Sequence, residues 1–239
     1  MIQCDLTLST PAENLACDEA LLDLCEDGLC NELLRLWEPL QYFVVLGYAN
    51  HARSEVNLPF CQQNTIPVLR RCTGGGTVLQ GPGCLNYSLI ARSDVSGPFH
   101  SISATNEFIL KRHIKVLAAA LHAPVSLQGQ TDLTVGGLKF SGNAQRRKKH
   151  FLIFHGTFLL HLDLALVEKV LPLPSRQPSY RANRSHSDFL MNLHVPADLL
   201  KRALIKVWNA SESLPEIPLD RISRLARQKY DLDEWNLKF

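Results

Sequence analysis

The stretch TDLTVGGLKFSGNAQRR, residues 131–147, sets a solitary lysine, Lys139, between Leu138 and Phe140 and among glycines and small polar residues. Gly136-Gly137 is a two-residue turn of the kind that accepts positive φ, so the stretch reads as a β-hairpin. That turn predicts a register: Val135 faces Leu138, Thr134 faces Lys139, Leu133 faces Phe140 and Asp132 faces Ser141. Alternation then sorts Leu133, Val135, Leu138 and Phe140 onto an apolar face. Asp132, Thr134, Lys139 and Ser141 fall on a polar face. Periodicity alone favours a solvated outer face on an edge hairpin. Two features point instead to a cation with room for a ligand. The polar face surrounds one long amine with short side chains, and GNAQRRKK, which follows Ser141, is small and then strongly basic.

A second concentration of signal is RRCTGGGTVLQGPG, residues 70–83. Three consecutive glycines, Gly74, Gly75 and Gly76, are costly in backbone entropy. They make sense where the backbone must approach a ligand and present N–H groups to anionic oxygens. No GKS or GKT follows, so this is not a Walker loop, and it opens a strand rather than a helix, so it is not a dinucleotide fingerprint. A tight strand connection is the plain reading. Arg70 and Arg71 stand ahead of the loop and favour a phosphate-binding one, because a guanidinium suits phosphate or carboxylate by bidentate contact.

The elements that would hold these residues follow from pattern. STPAENLACDEALLDLCEDG is a helix, with Thr10 as cap, Pro11 at the first position, Glu13 completing a capping box and Gly28 past its end. LLRLWEP and YFVVLGY read as strands broken by Pro39, and IPVLRR, GTVLQGPG and LNYSLIA as three more. ATNEFILKRHIKVLAAALH is a second helix with Phe108, Leu110, Ile114, Leu117 and Leu121 on one stripe. After the hairpin comes a strand FLIFHGTFLLHL, then two helices starting near Pro196 and Pro218. Strands come in runs and so do helices. That predicts an α+β fold with a mixed or antiparallel sheet, in one domain without a linker.

Composition narrows the class. The chain has 239 residues, 46% hydrophobic and 20% charged, with net charge +2, so nothing argues for nucleic acid as a partner. No signal peptide and no bilayer-spanning apolar stretch are visible. The seven cysteines form no CxxC pair and end at Cys84. A disulfide scaffold or zinc site is therefore not expected, and a cytoplasmic location fits.

LRLWEP, VVLGYAN, RRCTGGGTVLQGPGCLNYSL, TDLTVGGLKFSGNAQRR and FHGTFLLHLDL, in this order, resemble the lipoate–protein ligase A family over nearly the whole chain. The resemblance implies the biotin/lipoate-ligase-like catalytic domain, with a mixed, largely antiparallel sheet flanked by helices. It implies ATP, magnesium and lipoate as reactants. Lipoyl-adenylate and pyrophosphate would form first. The lipoyl group would then pass to a lysine of an apo lipoyl domain of a 2-oxoacid dehydrogenase or of an H-protein-like carrier.

By motif match, Lys139 would contact the acyl carbonyl and the adenylate phosphate. Arg71, Gly74, Gly75, Gly76, Thr77, Val78 and Leu79 would line the nucleotide site. Ser141, Gly142, His155 and Gly156 would border the substrate, and Asp132 would stand near magnesium. Two-domain ligases carry an accessory domain after the segment resembling DEWN. Residues 1–239 are therefore expected to be a single catalytic domain, working alone or with a separate small accessory subunit. Octanoyltransferases, the alternative, act through a cysteine thioester or accept a preformed acyl-adenylate. In the relatives of nearest sequence type that cysteine lies in the loop before the lysine hairpin, and HAPVSLQGQ has none. QRRKKH, residues 145–150, reads as a solvated loop or as a flexible loop closing on the adenylate or docking a carrier. Arg181 and Arg184 look structural or carrier-facing and are left outside the site. Cys72 and Cys84 read as small buried side chains.

Overall fold

The expected capping box forms at the first helix. In the computed structural model, which describes residues 1–93 and 96–239, the Thr10 hydroxyl accepts from the Glu13 N–H and the Glu13 carboxylate from the Thr10 N–H. Pro11 takes the first position of helix α1 (Pro11–Glu26). Ala16, Cys17, Ala20, Leu21, Leu22 and Cys25 have no exposed surface, so α1 is a central helix rather than a surface one.

The strands are β1 (Ile2–Asp5), β2 (Leu33–Trp37), β3 (Phe43–Leu46), β4 (Val68–Arg70), β5 (Val78–Gln80) and β6 (Cys84–Arg92). After them come β7 (Ser126–Gln128), β8 (Asp132–Val135), β9 (Leu138–Arg147), β10 (Phe151–Leu159) and β11 (Glu212–Ser213). The other helices are α2 (Ala52–Glu55), α3 (Leu58–Gln63), α4 (Ile102–Leu121) and α5 (Leu164–Val170). Toward the C-terminus lie α6 (His186–Phe189), α7 (Ala197–Val207), α8 (Leu219–Leu225) and α9 (Asp233–Asn236), with a π-helical turn at Ala226–Tyr230.

Eight strands form one sheet in the order β11-β1-β2-β6-β10-β9-β8-β7. β1 runs parallel to both of its neighbours and every other pair is antiparallel. This is the expected α+β architecture with a mixed, largely antiparallel sheet. A smaller sheet, β4-β3-β5, is an addition to it and carries the glycine loop between β4 and β5.

Strict alternation puts the two faces of the large sheet into two cores. Leu33, Ile90 and Ile153 pack under α1, and their chain neighbours Leu34, Leu89 and Phe154 pack on the other side with α4 and α7. Each such fully buried side chain contributes roughly 1.5–3 kcal/mol. A third core, with Val44, Leu46, Leu79, Val167 and Val170, joins the small sheet to α5. Among the described residues no helix is long and apolar enough to cross a membrane.

One buried group gives the fold a pH dependence. His113, on α4, is wholly buried, and the Trp208 Nε1–H donates to its Nε2 at 2.9 Å. Burial pulls its pKa down to about 3. The unfolded chain therefore takes up this proton first. Stability should be fully present above pH 6.5 and fall as pH drops toward 3, at about 1.4 kcal/mol per unit from this one group. Urea unfolding at pH 7 and pH 5 checks this, and a His113→Leu chain should show the shallower fall.

Candidate active site

The lysine hairpin forms, but not in the simple register. Val135 faces Leu138 and Thr134 faces Lys139, as the Gly136-Gly137 turn dictates (φ +58° and +80°). Between Leu133 and Thr134 the register slips, and Leu133 faces Ser141 instead of Phe140. The expected pairs Leu133–Phe140 and Asp132–Ser141 are corrected by this bulge. An extra residue on one strand re-aims the side chains beyond it. Ser141 is turned inward, 1% exposed, and its hydroxyl has no partner. Gly142 comes beside the amine in its place: a methyl there would lie 2.9 Å from Lys139 Nζ.

Lys139 Nζ pairs with Asp132 Oδ1 at 2.8 Å, and the Tyr180 hydroxyl donates to Asp132 Oδ2 at 2.7 Å. The two charged side chains are 23% and 15% exposed, which rules out a solvated outer face. An ammonium has three donors, and among the described residues Asp132 is the one carboxylate paired with it. Hydrogen-bonding capacity remains for a ligand.

The arginines ahead of the glycine loop do not both serve as expected. Arg70 is fully buried and donates to the carbonyls of Gly47, Tyr48, Asn50 and Trp235. Arg71 lines the cleft, yet its guanidinium grips the loop itself, donating to Thr73 Oγ1, Gly74 O and Gly76 O at 2.6–3.1 Å. Burial lowers its pKa to about 10, which leaves it charged at neutral pH. Arg70 is a structural cation, whereas Arg71 lines the cleft as expected while bracing the loop. The anion-binding element is the loop they hold: with its carbonyls drawn to Arg71, the N–H groups of Gly74, Gly75 and Gly76 have no acceptor among the described residues.

Packing fixes that loop. Gly75 has φ +88°, and a methyl on Gly47 would stand 2.1 Å from Gly75 O. Gly47→Ala should therefore displace the loop and weaken nucleotide binding at least tenfold, with a smaller change in melting temperature. Equilibrium titration with ATP checks it. The loop approaches β9 near Ala144, whose Cβ would be 3.4 Å from a methyl on Gly75. Ala144 is two residues along the strand from Gly142, so loop and lysine border one cleft.

His155, on β10, stands where β10 meets α1. Asp18 can only accept, so the His155 ring proton faces it and Nε2 accepts at 2.7 Å from the Thr73 hydroxyl, which in turn accepts from Arg71 Nε–H. The His155 proton then sits on Nδ1, toward Asp18 Oδ2 at 3.5 Å. Asp18 is held by Arg35 at 2.6 Å and by the Ser88 hydroxyl at 2.7 Å. Burial pushes the Asp18 carboxyl up, but Arg35 and the His155 and Ser88 contacts outweigh it and hold it below the usual range. Gly156 is needed for space, because a methyl there would meet Asn143 Oδ1 at 1.8 Å. Asn143 is fixed by Tyr87 and Thr131.

The cleft has a volume of about 1520 Å³. Pockets for one small molecule run to roughly 1,000 Å³, so there is room for two ligands. Of the expected residues, Arg71, Gly74, Gly75, Gly76, Thr77, Val78, Asp132, Lys139, Gly142, His155 and Gly156 line it. Leu79 does not; it is 3% exposed and packs in the third core. Ser141 does not, for the reason given. Sequence reasoning missed Asp18, Trp37, Thr73, Asn143 and Arg181, all of which line the cleft. Asp18 carried no distinguishing signal, since the same helix also holds Glu13, Glu19, Asp23 and Glu26.

Residues 145–150 are not a free loop. Gln145, Arg146 and Arg147 belong to β9; Arg146 pairs with Glu19, Arg147 bonds Thr105, and Lys148 pairs with Asp23. Asp132 accepts from Lys139 on one oxygen and from Tyr180 on the other, and the described residues hold no cluster of three or more His, Cys, Asp or Glu fit for a metal. Magnesium usually keeps several waters and sits on substrate phosphates, and the residues here do not form a site for it on their own.

Residues 10–204 match the family model described as the lipoyl protein ligase A/B catalytic domain. The chain belongs to this family. It is 26% identical to lipoate-protein ligase A subunit 1 of Thermoplasma acidophilum, over 97% of this chain and 95% of that protein. It is 27% identical to an octanoyltransferase from Lysinibacillus sphaericus, over 96% and 95%. Among solved structures it superposes on a lipoate-protein ligase A bound with ATP with a TM-score of 0.84 and 25% identity, covering 99% of this chain and 98% of that one. The ligase A/B family thus contains both of the activities anticipated from sequence.

Proposed function

We propose that this chain is a lipoate–protein ligase, activating lipoate with ATP and transferring the lipoyl group to a lysine of an apo lipoyl carrier protein. The observation that carries this reading is Lys139 in a cleft with room for two ligands, beside a glycine loop with unspent N–H groups, where the cysteine lining the cleft, Cys72, has its thiol pushed up by burial.

In the first step a lipoate carboxylate oxygen attacks the α-phosphorus of ATP and pyrophosphate leaves. Negative charge grows on the phosphate, where fixed N–H groups and a cation placed in advance have their largest effect. Asp132 orients the Lys139 ammonium and leaves hydrogen-bonding capacity for the acyl-adenylate. In the second step the carrier's lysine amine attacks the acyl carbon and AMP leaves. The attacking amine belongs to the partner, so this chain positions and stabilises rather than forming a covalent bond. The chain of contacts Arg71–Thr73–His155–Asp18 keeps the Thr73 hydroxyl and the His155 ring in one arrangement at the edge of the cleft.

A thioester route needs a thiolate at the acyl carbon. The cysteine that lines the cleft is Cys72, and burial pushes its thiol up, assisted by Glu19 and opposed by Arg146. Cys84 is fully buried, its pKa pushed up to about 12. Neither is a ready nucleophile at neutral pH. The test is incubation with octanoyl-carrier protein and an apo lipoyl domain without ATP. Absence of octanoylation is expected, and efficient transfer would overturn the ligase reading.

The proposed carriers are apo lipoyl domains of 2-oxoacid dehydrogenases or H-protein-like proteins. A separate small accessory subunit is part of the proposal, because the Thermoplasma acidophilum relative is itself named subunit 1. The free thiols of all seven cysteines suit a reducing cytoplasm.

A further inference from the structure

Arg181 presents an unused charge to the cleft. It is 4% exposed and lines the cavity. Its Nε–H donates to Arg184 O at 3.1 Å, while its Nη2 is buried with no partner. Among the described residues it takes part in no ion pair. Its nearest countercharge, Glu168, makes no contact pair with it and accepts from Ser187 instead, and a buried guanidinium without a contacting anion is expensive.

Its surroundings say which kind of anion. Arg181 Cζ stacks over the Phe189 ring at 4.7 Å, Arg184 Cζ lies over the same ring at 5.2 Å, and Lys139 Nζ at 6.0 Å. Three cations share one aromatic ring, and the carboxylate paired within this group is Asp132, on Lys139. The excess of positive charge suits a polyanion better than a single carboxylate. The same segment also brings Ser175, Arg176, Gln177 and Ser179 to the cleft lining, polar groups able to meet a hydrated anion. The segment is also tied to the lysine hairpin: Met191 N–H donates to Lys139 O, Arg184 donates to Gly137 O, and Tyr180 holds Asp132. An anion on Arg181 is therefore held in fixed relation to one on Lys139.

We infer that Arg181 is the anchor for the pyrophosphate portion of ATP, its guanidinium fork taking the terminal phosphate oxygens while Lys139 faces the α-phosphate. This rests on the ligase reading and adds to it a residue that serves adenylation but not transfer.

The test uses inorganic pyrophosphate as probe, in EDTA, by calorimetric titration of the full chain. Wild type should bind it, and Arg181→Gln should bind it at least tenfold more weakly with an unchanged far-UV spectrum. Lipoate affinity should stay within twofold. Transfer from preformed lipoyl-adenylate should also be retained within about threefold. Equal pyrophosphate affinity in the variant, or no binding by wild type at millimolar concentration, overturns the inference. If Arg181→Gln does not fold, the Arg181 Nε–Hε resonance of the wild-type protein decides the matter. It should shift saturably with pyrophosphate, and an unmoved resonance overturns the inference. Failure of wild type to transfer from lipoyl-adenylate removes the ligase reading itself, a result the pyrophosphate titration does not depend on.

Discussion

Lys139→Met should transfer lipoate from preformed lipoyl-adenylate about 10²–10³-fold more slowly than wild type and remain folded. Removing one fixed donor from a developing oxyanion has effects of this size. The loss should appear in the rate constant of the chemical step more than in affinity, because the ammonium acts where charge grows. Folding should survive for a stated reason. Lys139 is partly exposed, and Asp132 keeps its bond from the Tyr180 hydroxyl when the amine is gone. Single-turnover kinetics, alongside a thermal melt, measure both halves. A variant within threefold of wild type would mean that Lys139 only braces the hairpin.

Asp18→Ala should have the largest effect on stability, about 3–5 kcal/mol. Arg35 has no exposed surface, and Asp18 is its one carboxylate partner among the described residues, at 2.6 Å. Truncation leaves a buried guanidinium with only the neutral acceptors Asn14 and Leu6 O. It also removes the acceptor of the Ser88 hydroxyl and the anchor of the His155 ring. Urea unfolding gives the number. A change under 1 kcal/mol would show that water reaches Arg35 and that the pair is not a structural keystone between α1 and β2.

These two residues illustrate what could be read from the chain before its structure was known. Lys139 was legible because a Gly-Gly turn fixes a hairpin locally and alternation does the rest. The bulge was not, since two-residue periodicity assumes an unbroken ladder, and one extra residue exchanged Ser141 for Gly142 beside the amine. Arg70 and Arg71 show a different limit. Residue type correctly signalled strong hydrogen-bonding cations next to a glycine loop. Their acceptors, however, lie on Gly47, Trp235 and the loop's own carbonyls, and so Arg70 is structural and Arg71 braces the loop while lining the cleft. The basic run at residues 145–150 failed for the same reason. Its partners Glu19 and Asp23 sit on α1, more than 120 positions away in sequence. Arg181, which looked peripheral, reaches the cleft because its segment folds back over the lysine hairpin.

The long apolar periods were the most dependable part. Helix α1 appears where its caps put it, and α4 where its apolar stripe puts it, though it starts two residues earlier, behind the cap Ser101. β1 was missed because a four-residue strand with one buried side chain carries little pattern of its own; it exists through parallel pairing with β2 and β11.

The central claim is ATP-derived acyl transfer to a protein lysine, and intact mass of an apo lipoyl domain tests it most directly. The domain is incubated with this chain and preformed lipoyl-adenylate, and in parallel with lipoate, ATP and magnesium, with and without an accessory subunit. A gain of one lipoyl group from the adenylate, lost in Lys139→Met, is the expected result. No gain from the adenylate by a folded wild-type chain would contradict it.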